Sequence, residues 1–300
     1  MITTHSNLHK ALPIVIGLLL SIGCREPKDF GEMSPLKPEI GSTTTLVPAN
    51  PSAPLAAATM IDLTHSFDEN TIFWPTEEGF QLEQGPAGFT QTGYFYAANR
   101  FRLAEHGGTH IDAPIHFFAG GKTVDEIPLH RLIGDAVIID VTEACKNDRD
   151  YQIGINDFRK WETTHERQLV DVIVLLRTGF GRHWPDREKY LGTAIRGEEA
   201  VRQLHFPGLS PDAAKWLVEN RMIKAIGIDT ASIDHGQSTS FGSHVTLFEK
   251  NIPAFENVAN LDELPLEGFN IIALPMKIRT GTGGPLRIIA LLDSSPATLP

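Results

Sequence analysis

Between His106 and Phe117 the chain reads HGGTHIDAPIHF, which places His106, His110, Asp112 and His116 within eleven residues. Imidazoles and a carboxylate at this density are the side chains that bind a divalent metal or move protons near neutral pH. A helix would bring the histidines near one face, but Gly107, Gly108 and Pro114 all act against a helix in so short a span. In an extended segment alternate side chains share a face, so His110 and Asp112 point the same way. The Gly-Gly pair then lets the backbone turn and bring His106 beside them. One hard anionic oxygen with two borderline nitrogens suits zinc, manganese or iron and suits calcium or magnesium poorly. The plain alternative is three separate structural histidines, each satisfied by a backbone partner; the clustering with an aspartate argues against it.

The same stretch resembles the H-x-G-T-H-x-D-x-P-x-H-F signature of the putative cyclase family, which includes bacterial kynurenine formamidases and isatin hydrolases. Further segments carry the resemblance: IDLTHSFDENTIFWP from Ile61 to Pro75, IGIDTASIDHG from Ile226, His244, and FENVANLDELP from Phe255. Together they span about Met60 to Leu292. The resemblance implies two divalent ions, zinc or manganese. His106, His110 and Asp112 align with the ligands of the first half, with Asp112 as a bridge, and His244 and Glu256 with those of the second. His116 aligns with the residue that serves as acid and base, and Trp74 lies where the family's Trp-Pro element approaches the substrate. Taken alone, His244 and Glu256 read more simply as surface or capping residues.

Two divalent ions about 3.5–4 Å apart can activate a water and polarise a carbonyl. The leaving nitrogen then needs a proton, and His116, close to the ligands yet not required as one, fits that role; a further ligand or outer partner is its alternative. Glu105 either orients a ligand, contacts substrate or is a solvated charge. The aromatics Phe73, Trp74, Tyr94, Phe95, Tyr96, Phe101, Phe117 and Phe118 offer stacking for a flat aryl amide, though most are expected in the core.

Other chemistries lack their motifs: there is no G-x-S-x-G elbow and no phosphate loop, and His165-Glu166 lacks the second histidine of a zinc-protease helix. GTGGP at Gly281–Pro285 reads as a hairpin turn. The formal charge of −11 argues against nucleic acid as a partner.

Residues 1–23 read as a signal peptide of lipoprotein type: the apolar run Ala11–Gly23 is too short for a comfortable membrane span and ends at Cys24. Residues 24–58, dense in Pro, Ser and Thr, read as a linker. Residues 59–300 are expected to form one mixed α/β domain. Its strand blocks begin at Asp135, Val170, Lys224, Asn270 and Leu286, and its helices follow Ser210-Pro211 and begin near Asn156. The resemblance adds a swivelling β/β/α arrangement and paired subunits, a homodimer. With Cys24 lipidated, Cys145 alone remains and no internal disulfide can form.

The expectation is an exported, membrane-anchored lipoprotein of the bacterial periplasm that hydrolyses a small aryl or cyclic amide. Arylformamidase activity, N-formylkynurenine to kynurenine and formate, is the leading form; isatin-like lactam hydrolysis is the rival. Export sits awkwardly with tryptophan catabolism, which is usually intracellular. A metal-binding lipoprotein without turnover is the alternative of a different class.

Overall fold

The protein is described by a computed structural model over residues 58–292. The segments read as signal peptide and most of the linker lie outside the described residues. Among the described residues no helix is long and apolar enough to cross a membrane.

Eight strands build one sheet: β1 (Thr59–Asp62), β2 (His110–Asp112), β3 (Ile133–Asp140), β4 (Ile173–Arg177), β5 (Ala225–Ile228), β6 (Ala254–Glu256), β7 (Phe269–Pro275) and β8 (Gly283–Leu292). Their order is β1-β8-β7-β3-β4-β5-β6-β2, and β2 pairs again with β8, so seven strands close into a ring. One edge of β8 is shared end to end, with Gly283–Pro285 against β2 and Ile289–Leu292 against β1. β3, β4, β5 and β6 run parallel to one another, and the remaining pairings are antiparallel. All five strand blocks expected from the sequence are present, and the fold class is mixed α/β.

Alternation along the strands sorts the core into two layers. Ile111, Ile138, Leu175, Ala225, Phe255, Ile271 and Ile288, drawn from all seven ring strands, pack together in the ring interior. Their neighbours Val137, Ile139, Val174, Leu176 and Ile226 face outward into a second apolar layer. A parallel strand buried on both faces has no polar side to show, which is why these blocks read as unbroken apolar runs.

Helices α1 (Ile155–Thr164) and α2 (Pro211–Asn220) cover the outward layer. Ser210 caps α2 as expected: its hydroxyl accepts from the Ala213 amide at 3.2 Å, and Pro211 occupies the first turn, where its missing N–H costs nothing. Phe158 of α1 and Trp216 of α2 meet at 6.2 Å between ring centres. Cys145 is a buried free thiol, its pKa pushed up to about 12 by burial, as suits a packing residue.

Most of the aromatics between Tyr94 and Phe101 depart from expectation. Tyr94, Phe95, Tyr96 and Phe101 are neither core nor pocket but at least half exposed. They sit on or beside two short antiparallel ribbons, Gln81–Glu83 with Arg100–Arg102 and Ala87–Phe89 with Phe95–Ala97, which are separate from the eight-stranded sheet. A two-stranded ribbon by itself lacks a layer in which to bury such side chains.

Leu175 is fully buried in the ring interior beneath the strands that carry the site. Leu175→Ala is expected to lower stability by about 3 kcal/mol in urea unfolding; a loss below about 1 kcal/mol would show that the interior is not close-packed there.

Candidate metal centre

The site lies on the outer face of the ring at the β2–β6 seam. In β2 the order is His110, Ile111, Asp112; Ile111 points into the ring, so His110 and Asp112 point out together. Antiparallel pairing sets Glu256 of β6 directly opposite His110 and Phe255 opposite Ile111. Glu256 thereby joins the two ligand candidates of β2 from a point 146 residues further along the chain, as the difference between positions 256 and 110 gives.

Local geometry at both ends of β2 delivers two more histidines. Gly108 adopts φ +58°, a left-handed turn in which a side chain would strike the Phe67 ring, and the turn folds His106 back over the strand. At the other end Pro114 forces Ala113 to remain extended and opens a 3₁₀ turn over Pro114–His116. That turn carries His116 onto His106, with ring centres 3.7 Å apart and planes 16° from parallel.

His244 arrives from helix α3 (Gly242–Phe248). Asp234 fixes both the helix start and the ring: its carboxylate accepts from the Ser243 and His244 amides, each at 3.1 Å, and from His244 Nδ1 at 2.6 Å. Nε2 of His244 is left facing the carboxylates, 3.1 Å from Asp112 Oδ2 and 3.1 Å from Glu256 Oε1. His110 is oriented the same way. Its Nδ1 donates to the Gly108 carbonyl at 3.0 Å, while Nε2 lies 3.1 Å from Asp112 Oδ1 and 3.5 Å from Glu256 Oε2. Asn257 braces that carbonyl with its amide at 2.8 Å and accepts in turn from the Tyr190 hydroxyl at 2.9 Å.

Two donor sets result, His106–His110–Asp112 and Asp112–His244–Glu256, with the donor atoms of each lying within 4.8 Å of one another. Asp112 belongs to both: Oδ1 faces His106 at 2.7 Å and His110, while Oδ2 faces His244. Donors bound at about 2.1 Å stand about 3.0 Å apart around an octahedral ion and about 3.4 Å apart around a tetrahedral one, so the 3.1 and 3.5 Å separations here fit a divalent ion, while the 2.7 Å between His106 and Asp112 is a hydrogen-bond length.

Charge balance points the same way. Asp112 and Glu256 are both nearly inaccessible to water. A bare carboxylate in such a place costs several kcal/mol, more than the roughly 1 kcal/mol that one hydrogen bond returns. Burial raises the Glu256 pKa, and the Asp112 charge raises it further. For Asp112 burial acts in the same direction, but His106, His110 and His244 outweigh it and hold the carboxyl well below its ordinary range. Burial opposes a proton on His244, yet Asp112, Asp234 and Glu256 hold its pKa well above the ordinary value. His116 differs: burial pushes it down to about 4, and among the described residues it forms none of the side-chain hydrogen bonds that tie the other three.

Above the donors opens a cavity of about 570 Å³ whose wall includes Phe73, Trp74, Phe117 and Phe241. Phe117 lies against the His244 ring at 4.5 Å, and Trp74 meets Phe241 edge-on at 6.3 Å. A larger cleft of about 790 Å³ lies beside Asp140 and Asp229, but among the described residues no group of metal-ligating side chains gathers there. Asp229 is taken up by Thr178 and Gly179, and Asp140 by Thr142 and Arg177.

The seven candidate ligand, catalytic and substrate residues converge here: His106, His110, Asp112, His116, His244, Glu256 and Trp74 all line this one cavity. Sequence reading missed Asp234, Asn257, Phe241 and Thr282. Asp234 lies inside the IGIDTASIDHG segment, where nothing marked it off from a turn residue. GTGGP is only partly a turn, because Gly283–Pro285 already pair with β2 and Thr282 reaches His106 Nε2 at 2.8 Å.

The profile of the family described as Putative cyclase matches residues 61–235. An isatin hydrolase of Roseibium aggregatum is 32% identical over 245 residues, covering 79% of this chain and 88% of that one. A kynurenine formamidase of Bacillus cytotoxicus is 27% identical over 242 residues, covering 78% and 98%. The solved structure of isatin hydrolase A from Ralstonia solanacearum superposes with a TM-score of 0.72 at 29% identity, covering 85% of this chain and all of that one. With a profile match over more than half its length and a relative of this identity, the chain belongs to the putative cyclase family.

Proposed function

We propose that the protein is a metal-dependent amidohydrolase that opens a small cyclic aryl amide, with an isatin-like lactam as its first substrate class. The observation that carries this reading is the pair of donor sets sharing Asp112 at the floor of an aromatic-walled cavity. His106, His110, Asp112, His244 and Glu256 would hold two divalent ions, zinc or manganese. When bound, such ions supply a polarised amide carbonyl and a water of lowered pKa.

The chain's own residues do the rest. Asp112 and Glu256 offset the positive charge and fix its position. Trp74, Phe117 and Phe241 stack the aryl ring and keep bulk water from the reacting face. His116 is the imidazole in the cavity wall left without a side-chain tie. It takes the proton from the attacking water and returns it to the departing amide nitrogen.

The choice between substrates rests on charge. Glu77, Glu105, Asp112 and Glu256 line the cavity, and among its described lining residues there is no Lys or Arg. N-formylkynurenine carries an amino-acid ammonium, which Glu77 and Glu105 would favour, and a carboxylate that no Lys or Arg among the described lining residues would pair. Isatin is uncharged. The higher identity to the isatin hydrolase supports the same order, and arylformamidase activity is the second reading.

Export as a lipoprotein through Cys24 is part of the proposal and rests on the sequence of residues 1–24. Pairing of subunits and the swivelling β/β/α arrangement rest on the family resemblance.

Protein loaded with zinc or manganese is expected to hydrolyse isatin with kcat/KM at least about tenfold above N-formylkynurenine, about the worth of one unsatisfied polar group. The reverse order would make it an arylformamidase, and silence with both and with formanilide would leave a metal-binding protein without turnover. His116→Ala should keep its metal content by elemental analysis and lose at least about a hundredfold in kcat; joint loss of metal and activity would make His116 a ligand. In cells, Cys24→Ala should move the protein from the membrane fraction to the soluble one, and an unchanged distribution would remove the lipid anchor.

A further inference from the structure

We infer that Glu105 and Thr282 are positioning residues that set the tautomer of His106, so that this histidine presents Nδ1 to the metal site while His110 and His244 present Nε2. The inference rests on reading the cleft as a metal centre and adds how one of its ligands is held.

The argument is a count of protons. Glu105 Oε2 accepts from the Thr282 amide at 2.9 Å, which marks it as an acceptor, and it lies 2.7 Å from the Thr282 hydroxyl. A threonine hydroxyl has one hydrogen. With that hydrogen donated to Glu105, Thr282 Oγ1 can only accept from His106 Nε2, 2.8 Å away. Nε2 therefore carries a ring hydrogen, and Nδ1, 2.7 Å from Asp112 Oδ1, is the nitrogen whose lone pair a metal ion would take. In the metal-loaded protein the ion would stand between that lone pair and the carboxylate, and without it a second ring hydrogen serves there.

The other two ligand candidates are wired in the opposite sense. His110 Nδ1 faces the Gly108 carbonyl and His244 Nδ1 faces Asp234, leaving Nε2 of each for the ion. The ring of His106 is also held on two sides. A Cβ at Gly283 would stand 2.6 Å from His106 Cε1, so the backbone of β8 lies close against one side, while His116 stacks on the ring at 3.7 Å. Loss of an outer partner of a metal-bound histidine typically costs tenfold to about a hundredfold in metal affinity.

The test uses the full chain with zinc as the probe. A long-range proton–nitrogen spectrum of the zinc-loaded protein should show one ligand histidine protonated at Nε2 and two protonated at Nδ1. In chelator competition, Thr282→Val should bind zinc about ten- to a hundredfold more weakly, and Thr282→Ser, which restores the hydroxyl, should recover most of that loss. Glu105→Ala provides a second route: it frees the Thr282 hydrogen to point at Nε2, so the Nδ1-protonated tautomer should grow in and zinc affinity should fall. Three histidines all coordinating through Nε2, or Thr282→Val and Glu105→Ala proteins that bind zinc like the wild type, would overturn the inference. A wild-type chain that takes up no zinc would instead overturn the metal-centre reading beneath it.

Discussion

The structure turns on one carboxylate. Asp112 is almost wholly buried, its two oxygens face imidazoles from different parts of the chain, and it stands in both donor sets. Such a group is tolerable in the interior only where positive charge meets it. The ring strands, the Gly108 turn and helix α3 are the means of bringing three nitrogens to it.

Strand register is what makes that delivery reliable. In β2 and β6 the metal-facing residues alternate with Ile111 and Phe255, which fill the ring interior. Slipping either strand by one residue would drive a charged side chain into the apolar interior and expose a large apolar one. The core therefore specifies the site: apolar packing of Ile111 and Phe255 selects the single register that places Glu256 opposite His110. Closure of the ring adds the β8 edge on the other side of β2, and with it the backbone of Gly283 and the hydroxyl of Thr282.

What could be read from the sequence follows the same division. HGGTHIDAPIHF was legible because its chemistry is local: alternation aligned His110 with Asp112, and glycine and proline announced the turns at either end. The strand blocks at Asp135, Val170 and Lys224 were legible because burial on both faces leaves an unbroken apolar run. His244 and Glu256 could be assigned only through family resemblance, since a lone histidine and a lone glutamate carry no periodicity. Asp234, Asn257 and Thr282 act through single hydrogen bonds to partners distant in the chain. Thr282 lies 176 residues from His106, and no spacing rule reaches that far. The aromatics between Tyr94 and Phe101 misled because composition shows that a side chain is apolar and not whether a layer exists to cover it.

The central claim is that the two donor sets sharing Asp112 would hold two divalent cations. The most direct measurement is a crystal structure of metal-loaded protein with anomalous diffraction recorded on both sides of the metal's absorption edge. The account predicts two peaks at the β2–β6 seam, one among His106, His110 and Asp112 and one among Asp112, His244 and Glu256. Absence of any peak at that seam in protein shown to contain stoichiometric metal would contradict it.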